Sequence, residues 1–172
     1  TFGKVIGGGL PIGAVGGRRE IMETLSPLGK VFHAGTLAGN PLATAAGRAA
    51  LGELTGDVYM ELLARARQLS ANLRDACAAA GLPAQFPVVG TLVGMYFGEA
   101  LGNAAPANFE QAKTTDEQLY AAFFHAMLRE GVALAPGAYE ALFVGLAHTD
   151  DVLDQIGEAA TRAAAAVMRD RG

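Results

Sequence analysis

The stretch TFGKVIGGGLPIGAVGG opens the chain, with glycine at positions 3, 7, 8, 9, 13, 16 and 17 and one lysine, Lys4, among them. Glycine permits backbone conformations and close approaches that a Cβ forbids, at a cost in conformational entropy. A run this dense limits what the chain can fold into, because the backbone here must pass very close to something. The candidates are a phosphate, a planar cofactor or another segment of chain. The amine in the middle of the stretch has to be explained together with the glycines.

Two nucleotide-binding patterns fail on spacing. A Walker loop places glycines before its lysine and Ser or Thr after it, whereas Lys4 precedes the glycine run and is followed by Val5. A dinucleotide fingerprint needs glycines at i, i+2 and i+5, and no trio within residues 3–17 has that spacing. A Schiff-base lysine fits better. It must be neutral to form an imine, which burial and nearby positive charge promote, and neighbouring glycines leave room for a flat aromatic aldehyde. The plain alternative is a strand-end lysine reaching water beside a glycine turn, and these residues alone leave both open.

A second stretch, HAGTLAGNPLATAAG (33–47), sets Gly35 and Thr36 just ahead of a helix start. Asn40 is placed to cap the free N–H groups of that helix, and Pro41 suits its first position. A threonine hydroxyl with adjacent backbone N–H groups makes a phosphate clamp. The alternative is a local hydroxyl-to-backbone turn.

Length and charge bound the rest. The 172 residues suffice for one ordinary domain or two small ones sharing an interface. A net charge of -4 without a long basic run argues against a nucleic-acid partner. No apolar run approaches the ~20 residues of a membrane span, and the first residues lack the charged start of a signal peptide. No membrane partner is therefore expected. The single cysteine, Cys77, rules out an internal disulfide and points to a reducing compartment. A soluble, cytoplasmic protein is the expectation, with Cys77 a small apolar filler on a helix. The chain starts at Thr1, directly inside its most distinctive motif, which leads us to expect the later part of something longer.

Along the chain, PIGAVGG (11–17) predicts a short buried strand and RREIMETL (18–25) a short helix, broken by SPLG. Residues 31–41 read as a polar loop, and the Ala- and Gly-rich helix after Asn40 as one packed closely on another helix or subunit. Leu62, Leu63, Ala66, Leu69, Leu73 and Ala76 recur at helical spacing, predicting a long amphipathic helix over 57–80 that Gly81 and Pro83 end. Residues 85–98 predict two short strands or a hairpin, 99–113 an aperiodic loop, and Asp116 the cap of a helix running to Gly131. VALAP and 141–148 read as strands, and a last helix starts at Asp150 or Asp151 and ends near Arg169. The order from residue 84 onward is that of a small α/β domain.

GKVIGGGLPIGAVGGRREIM followed by HAGTLAGNPLATAAG resembles the class-III aminotransferase family of pyridoxal-phosphate enzymes, fold type I. Within it, GKVIGGG and GTLAGNP are most similar to the aminomutases that act on glutamate-1-semialdehyde, and NFEQAKTTD (108–116) and FFHAMLREGVALAPGAYEALFVGLAHTDDVLDQ (123–155) agree. The resemblance implies an α/β fold that is the C-terminal part of a fold type I enzyme. Residues 1–83 would be the remainder of the cofactor-binding large domain with linking helices, and 84–172 the small C-terminal α/β domain.

It implies the cofactor too, pyridoxal 5'-phosphate, cycling through its pyridoxamine phosphate form, with no metal ion. Lys4 matches the lysine that bonds the cofactor covalently and moves protons, and Gly35 and Thr36 match the contact to the cofactor phosphate. That contact is made across a homodimer interface, so Thr36 would touch the partner subunit's cofactor. Glu140, in APGAYEALF, matches a glutamate near the substrate end of the aminomutase site.

His33, His125 and His148 are assigned structural places. The family's acidic partner to the pyridine nitrogen and its main phosphate loop lie upstream of the lysine. Many class-III aminotransferases also grip a substrate carboxylate with an arginine late in the C-terminal domain. LFVGLAHTDD has none, which favours the aminomutase pattern, an amino group moved between neighbouring carbons of one small-molecule substrate, over an ornithine- or GABA-type transaminase. Related ω- or β-amino-acid transaminases and an inactive interaction module remain as alternatives.

Overall fold

A computed structural model of the protein describes residues 1–102 and 104–171. Asn103, inside the expected 99–113 loop, and Gly172, at the end of the expected 84–172 domain, lie outside the described residues. The chain forms two compact units, Thr1–Val58 and the residues from Tyr59 onward.

In the first unit a 3₁₀ turn, Lys4–Gly7, follows the first residues, then a single-turn helix α1 (Arg19–Met22) and the longer α2 (Pro41–Glu53). Helix α2 starts where the sequence predicts: the Asn40 side chain accepts from the Leu42 and Ala43 N–H groups at 3.0 and 3.1 Å, and Pro41 opens the helix. Its small residues serve a close approach within the unit. A Cβ on Gly47 would stand 2.2 Å from the Ile6 carbonyl oxygen, and one on Gly8 would stand 2.6 Å from that of Ala46. Two glycines from different motifs therefore knit the lysine turn to α2. Gly8 also has a φ of 57°, a conformation glycine takes at little cost.

The buried strand expected at 11–17 is not formed. Ala14 pairs with Phe2 in one antiparallel bridge, N···O 2.8 and 3.0 Å, and Val15 is 50% exposed. A strand buried on both faces needs neighbours on both edges and cover on both sides, and within this unit Phe2 alone pairs with it.

The second unit is α/β. Helix α3 (Gly56–Ala80) begins at the end of the first unit and packs in the second. Among the described residues five two-residue strands follow with the remaining helices: β1 (Ala84–Gln85), β2 (Val88–Val89), β3 (Leu92–Val93), β4 (Tyr96–Phe97), α4 (Phe109–Ala112), α5 (Glu117–Arg129), β5 (Leu142–Phe143) and α6 (Asp150–Arg171). Strand β1 pairs antiparallel with β4, and β3 lies between β2 and β5, antiparallel to both. The expected hairpin at 85–98 is therefore present, with β2 and β3 turning at Gly90. The 99–113 segment holds a 3₁₀ turn at Glu99–Leu101 and α4 instead of loop throughout.

Leu69, Leu73, Ala76 and Cys77 of α3 meet Phe123 and Met127 of α5, Leu153 and Ala164 of α6, and Phe97 of the sheet in one core. The apolar spacing of 62–76 is thus a core face, and Leu62 and Leu63 at its start are half-buried. Because α3 contributes so much of this core, the two compact units divide within its first turn, at 58/59.

Helix ends follow local chemistry. Gly81 and Gly131, both at positive φ, close α3 and α5: Leu82 and Val132 donate back to Cys77 and Met127 at 2.9 Å. Asp116 accepts from Leu119 N–H at 2.8 Å, as its position predicts. VALAP forms no ladder among the described residues, and the strand expected over 141–148 contracts to Leu142–Phe143. Beyond it the chain folds into a turn in which Gly145 donates to His148 Nδ1 and His148 N–H donates to the Gly145 carbonyl, both at 3.0 Å. No described helix is long and apolar enough to cross a membrane.

Candidate functional site

Lys4 stands apart by its backbone. Its φ of 54° makes it the one non-glycine residue in the left-handed region among the described residues. For a side chain with a Cβ that conformation costs of the order of 1 kcal/mol or more, and it persists where surrounding structure imposes it. Here the surroundings are on hand: Gly8 N–H donates to the Val5 carbonyl at 3.1 Å, closing the turn, and α2 bears on it through Gly47 and Gly8. The glycines that prompted the question thus hold an exposed amine in a strained, over-determined turn.

Near the start of the chain lies an open groove of about 620 Å³, lined among others by Gly13, Ala14, His33, Gly35 and Leu37. Thr36 sits between two of these lining residues, in a turn closed by the Ala38 N–H on the Gly35 carbonyl at 2.9 Å. The hydroxyls of Thr24, Thr44 and Thr114 bond nearby carbonyls, whereas that of Thr36 takes no hydrogen bond among the described residues. The hydroxyl-to-backbone alternative for Thr36 is therefore not what the chain does. The first amides of α2 are engaged by Asn40, so an anion at this turn would meet the Thr36 hydroxyl and the amides of the turn itself.

The groups present fit a phosphorylated aldehyde: an amine set apart by its backbone, and a hydroxyl with neighbouring amides beside a glycine-lined groove. Gly35, Thr36 and Lys4 all lie in the first unit. Glu140 lies in the second, exposed, its Oε1 accepting from Gly137 N–H at 3.1 Å.

The histidines occupy varied settings. His148 holds the turn after β5, His125 stands edge-on to Phe124 with ring centres 5.2 Å apart, and His33 lines the groove. The late segment that lacks an arginine of its own is reached by one from α3. The half-buried Arg65 donates through one terminal nitrogen to the Gly145 and Leu146 carbonyls and through the other to the Glu61 carboxylate, so it is engaged within the second unit.

Beside Glu140, Tyr120 donates to the Ala135 carbonyl, and Tyr139 donates to Glu117 Oε1 at 2.7 Å. Burial and the Glu140 charge both push the Tyr120 phenol up. Sequence reasoning missed both tyrosines: Tyr139 stands next to Glu140 in PGAYE, whereas Tyr120 lies on α5, far from it in sequence.

The class-III aminotransferase family model matches residues 1–162. The chain belongs to the class-III aminotransferase family. A glutamate-1-semialdehyde 2,1-aminomutase of Desulfosudis oleivorans is 48% identical to this family member over 160 residues, 92% of the chain and 36% of that protein. The enzyme of the same name from Bacillus subtilis is 40% identical over 168 residues, 98% and 38% of the two. A transaminase solved with PLP bound superposes with a TM-score of 0.77 at 26% identity, covering 98% of the chain and 38% of its own. A glutamate-1-semialdehyde aminomutase from Pseudomonas aeruginosa superposes at 0.67 and 26% identity, covering 87% and 33%. The chain thus spans little more than a third of the length of the relatives it matches. Its α/β fold is that of part of a fold type I aminotransferase.

Proposed function

We propose that this chain is the C-terminal part of a pyridoxal-phosphate-dependent aminomutase that converts glutamate-1-semialdehyde to 5-aminolevulinate, with Lys4 as the covalent anchor of the cofactor. The observation that carries the reading is the strained turn at Lys4, an amine held at φ 54° by glycines that pack against α2. Strain of this kind concentrates at functional sites, where it holds a group ready for its task. The identity of 40% and 48% to proteins named as aminomutases supports the choice of reaction.

When bound, the cofactor supplies an electron sink that acidifies the substrate carbon bearing nitrogen. Lys4 Nζ removes a proton at that carbon and returns one, a transfer that contributes ~10²–10⁴-fold. Thr36 and the Gly35 turn receive the phosphate of the partner subunit's cofactor in a cytoplasmic homodimer, and Glu140 meets the substrate. Residues 1–83 contribute the remainder of the large cofactor-binding domain and the linking helices, α3 among them, and 84–172 the small C-terminal domain. The acid on the pyridine nitrogen comes from outside these residues.

A solved omega-transaminase and a solved beta-phenylalanine aminotransferase that superpose at TM-scores of 0.74 and 0.76 favour a second reading, an ω- or β-amino-acid transaminase. One assay separates the two. The full-length enzyme turns over glutamate-1-semialdehyde without an external amino donor or acceptor if it is an aminomutase; turnover that requires one makes it a transaminase.

A further inference from the structure

The loop that carries Glu140 is tied to α5 at two points. Tyr120 and Glu117, one turn apart near the start of that helix, hold the Ala135 carbonyl and the Tyr139 hydroxyl respectively, so the chain is fastened on both sides of 136–138. Between these ties the loop closes on itself. Gly137 N–H donates to Glu140 Oε1 at 3.1 Å, and Glu140 N–H donates to the Gly137 carbonyl at 3.2 Å. One carboxylate oxygen is thereby engaged on a backbone amide, which leaves the other lobe of the charge for an incoming cation. Gly137 has to be glycine for this: a Cβ there would stand 2.8 Å from Oε1 and 3.5 Å from Cγ of Glu140.

We propose that Gly137, with Tyr120 and the Tyr139–Glu117 pair, positions the Glu140 carboxylate to receive the amino group of the substrate. The proposal rests on the reading above in which Glu140 meets that substrate. These are positioning residues, and the carboxylate alone touches substrate.

Gly137→Ala is the informative variant. The added methyl meets the mobile end of a side chain and not backbone, so the carboxylate moves while the fold stays. In the full-length enzyme kcat/KM falls about 10- to 100-fold, as misplacing a binding group by about an ångström does. The loss lies mainly in KM, and the thermal midpoint is unchanged. Glu140→Ala shows the same split. The double variant is no worse than Glu140→Ala alone, because Gly137 acts only through the carboxylate.

Wild-type kinetics in Gly137→Ala beside an impaired Glu140→Ala overturn the inference, as do losses that add in the double variant. A fully active Glu140→Ala removes Glu140 from the proposed site and overturns the inference with it. Wild-type enzyme without aminomutase activity overturns the proposed reaction instead. Hydrogen exchange then decides the geometry: the Gly137 amide is protected in the wild type and loses protection in Glu140→Ala, and protection unchanged by that substitution overturns the inference.

Discussion

Gly47 of α2 lies directly against Ile6 of the lysine turn: a Cβ at Gly47 would come within 2.2 Å of the Ile6 carbonyl oxygen. Helix and turn cannot both stay in place if that hydrogen becomes a methyl. The opposing atom is backbone, so no side-chain rotation relieves the overlap. Gly47→Ala is expected to destabilise the protein by about 1–3 kcal/mol, the usual range for forced overpacking, and to displace Lys4. Thermal denaturation measures the first effect, and the yield of pyridoxal phosphate reduced onto Lys4 in the full-length enzyme measures the second.

Thr36 bears a hydroxyl with no partner among the described residues, in a turn on the groove. Replacing it with valine keeps the shape and removes the donor. A hydrogen bond to a charged group contributes about 1.5–3 kcal/mol, so Thr36→Val in the full-length enzyme weakens cofactor affinity by roughly 10- to 100-fold. Equilibrium dialysis reads the affinity and circular dichroism the unchanged fold. An unaltered dissociation constant counts against the phosphate role.

Asn40 satisfies two amides at the start of α2. Asn40→Ala costs about 1 kcal/mol, seen as a lower denaturant midpoint with the slope unchanged.

Burial pushes the Cys77 thiol from 9.0 up to about 12. The folded state then keeps its proton where the unfolded chain loses it. Stability from this group is full below pH 9.0 and is lost as pH rises toward 12, with a slope of about 1.4 kcal/mol per pH unit inside the window. Comparing wild type with Cys77→Ala by denaturation across that range isolates the slope. The same burial leaves the thiol unreactive toward alkylating agents until the protein unfolds.

Local chemistry was the most readable part of the sequence. Asn40, Asp116, Gly81 and Gly131 mark helix ends through bonds to residues within a turn or two, so their types and positions sufficed. Strands depend on partners far along the chain: PIGAVGG and VALAP have strand composition, yet within their units they lack the pairing that would make them strands. The site divides the same way. Lys4 and Thr36 stood out by motif, but the turn that carries Lys4 packs against Gly47, more than forty positions away along the chain. The hold on Glu140 follows from Tyr120 and Glu117 on a different helix. Such contacts join residues that no local pattern connects.

The 172 residues taken alone should not hold the cofactor in catalytic form, because the proposed site draws its pyridine partner from elsewhere. Mixing pyridoxal phosphate with this polypeptide should give no stable absorbance near ~420 nm, the usual range for the cofactor's imine. A stable band that Lys4→Ala abolishes contradicts this.

The central claim is that Lys4 anchors the cofactor, and the most direct measurement is borohydride reduction of the full-length enzyme loaded with pyridoxal phosphate, followed by peptide mass mapping. The account predicts a pyridoxyl group on Lys4, absent from Lys4→Ala. A label on Lys30, on Lys113 or on any lysine outside this chain, with Lys4 unmodified, would contradict it.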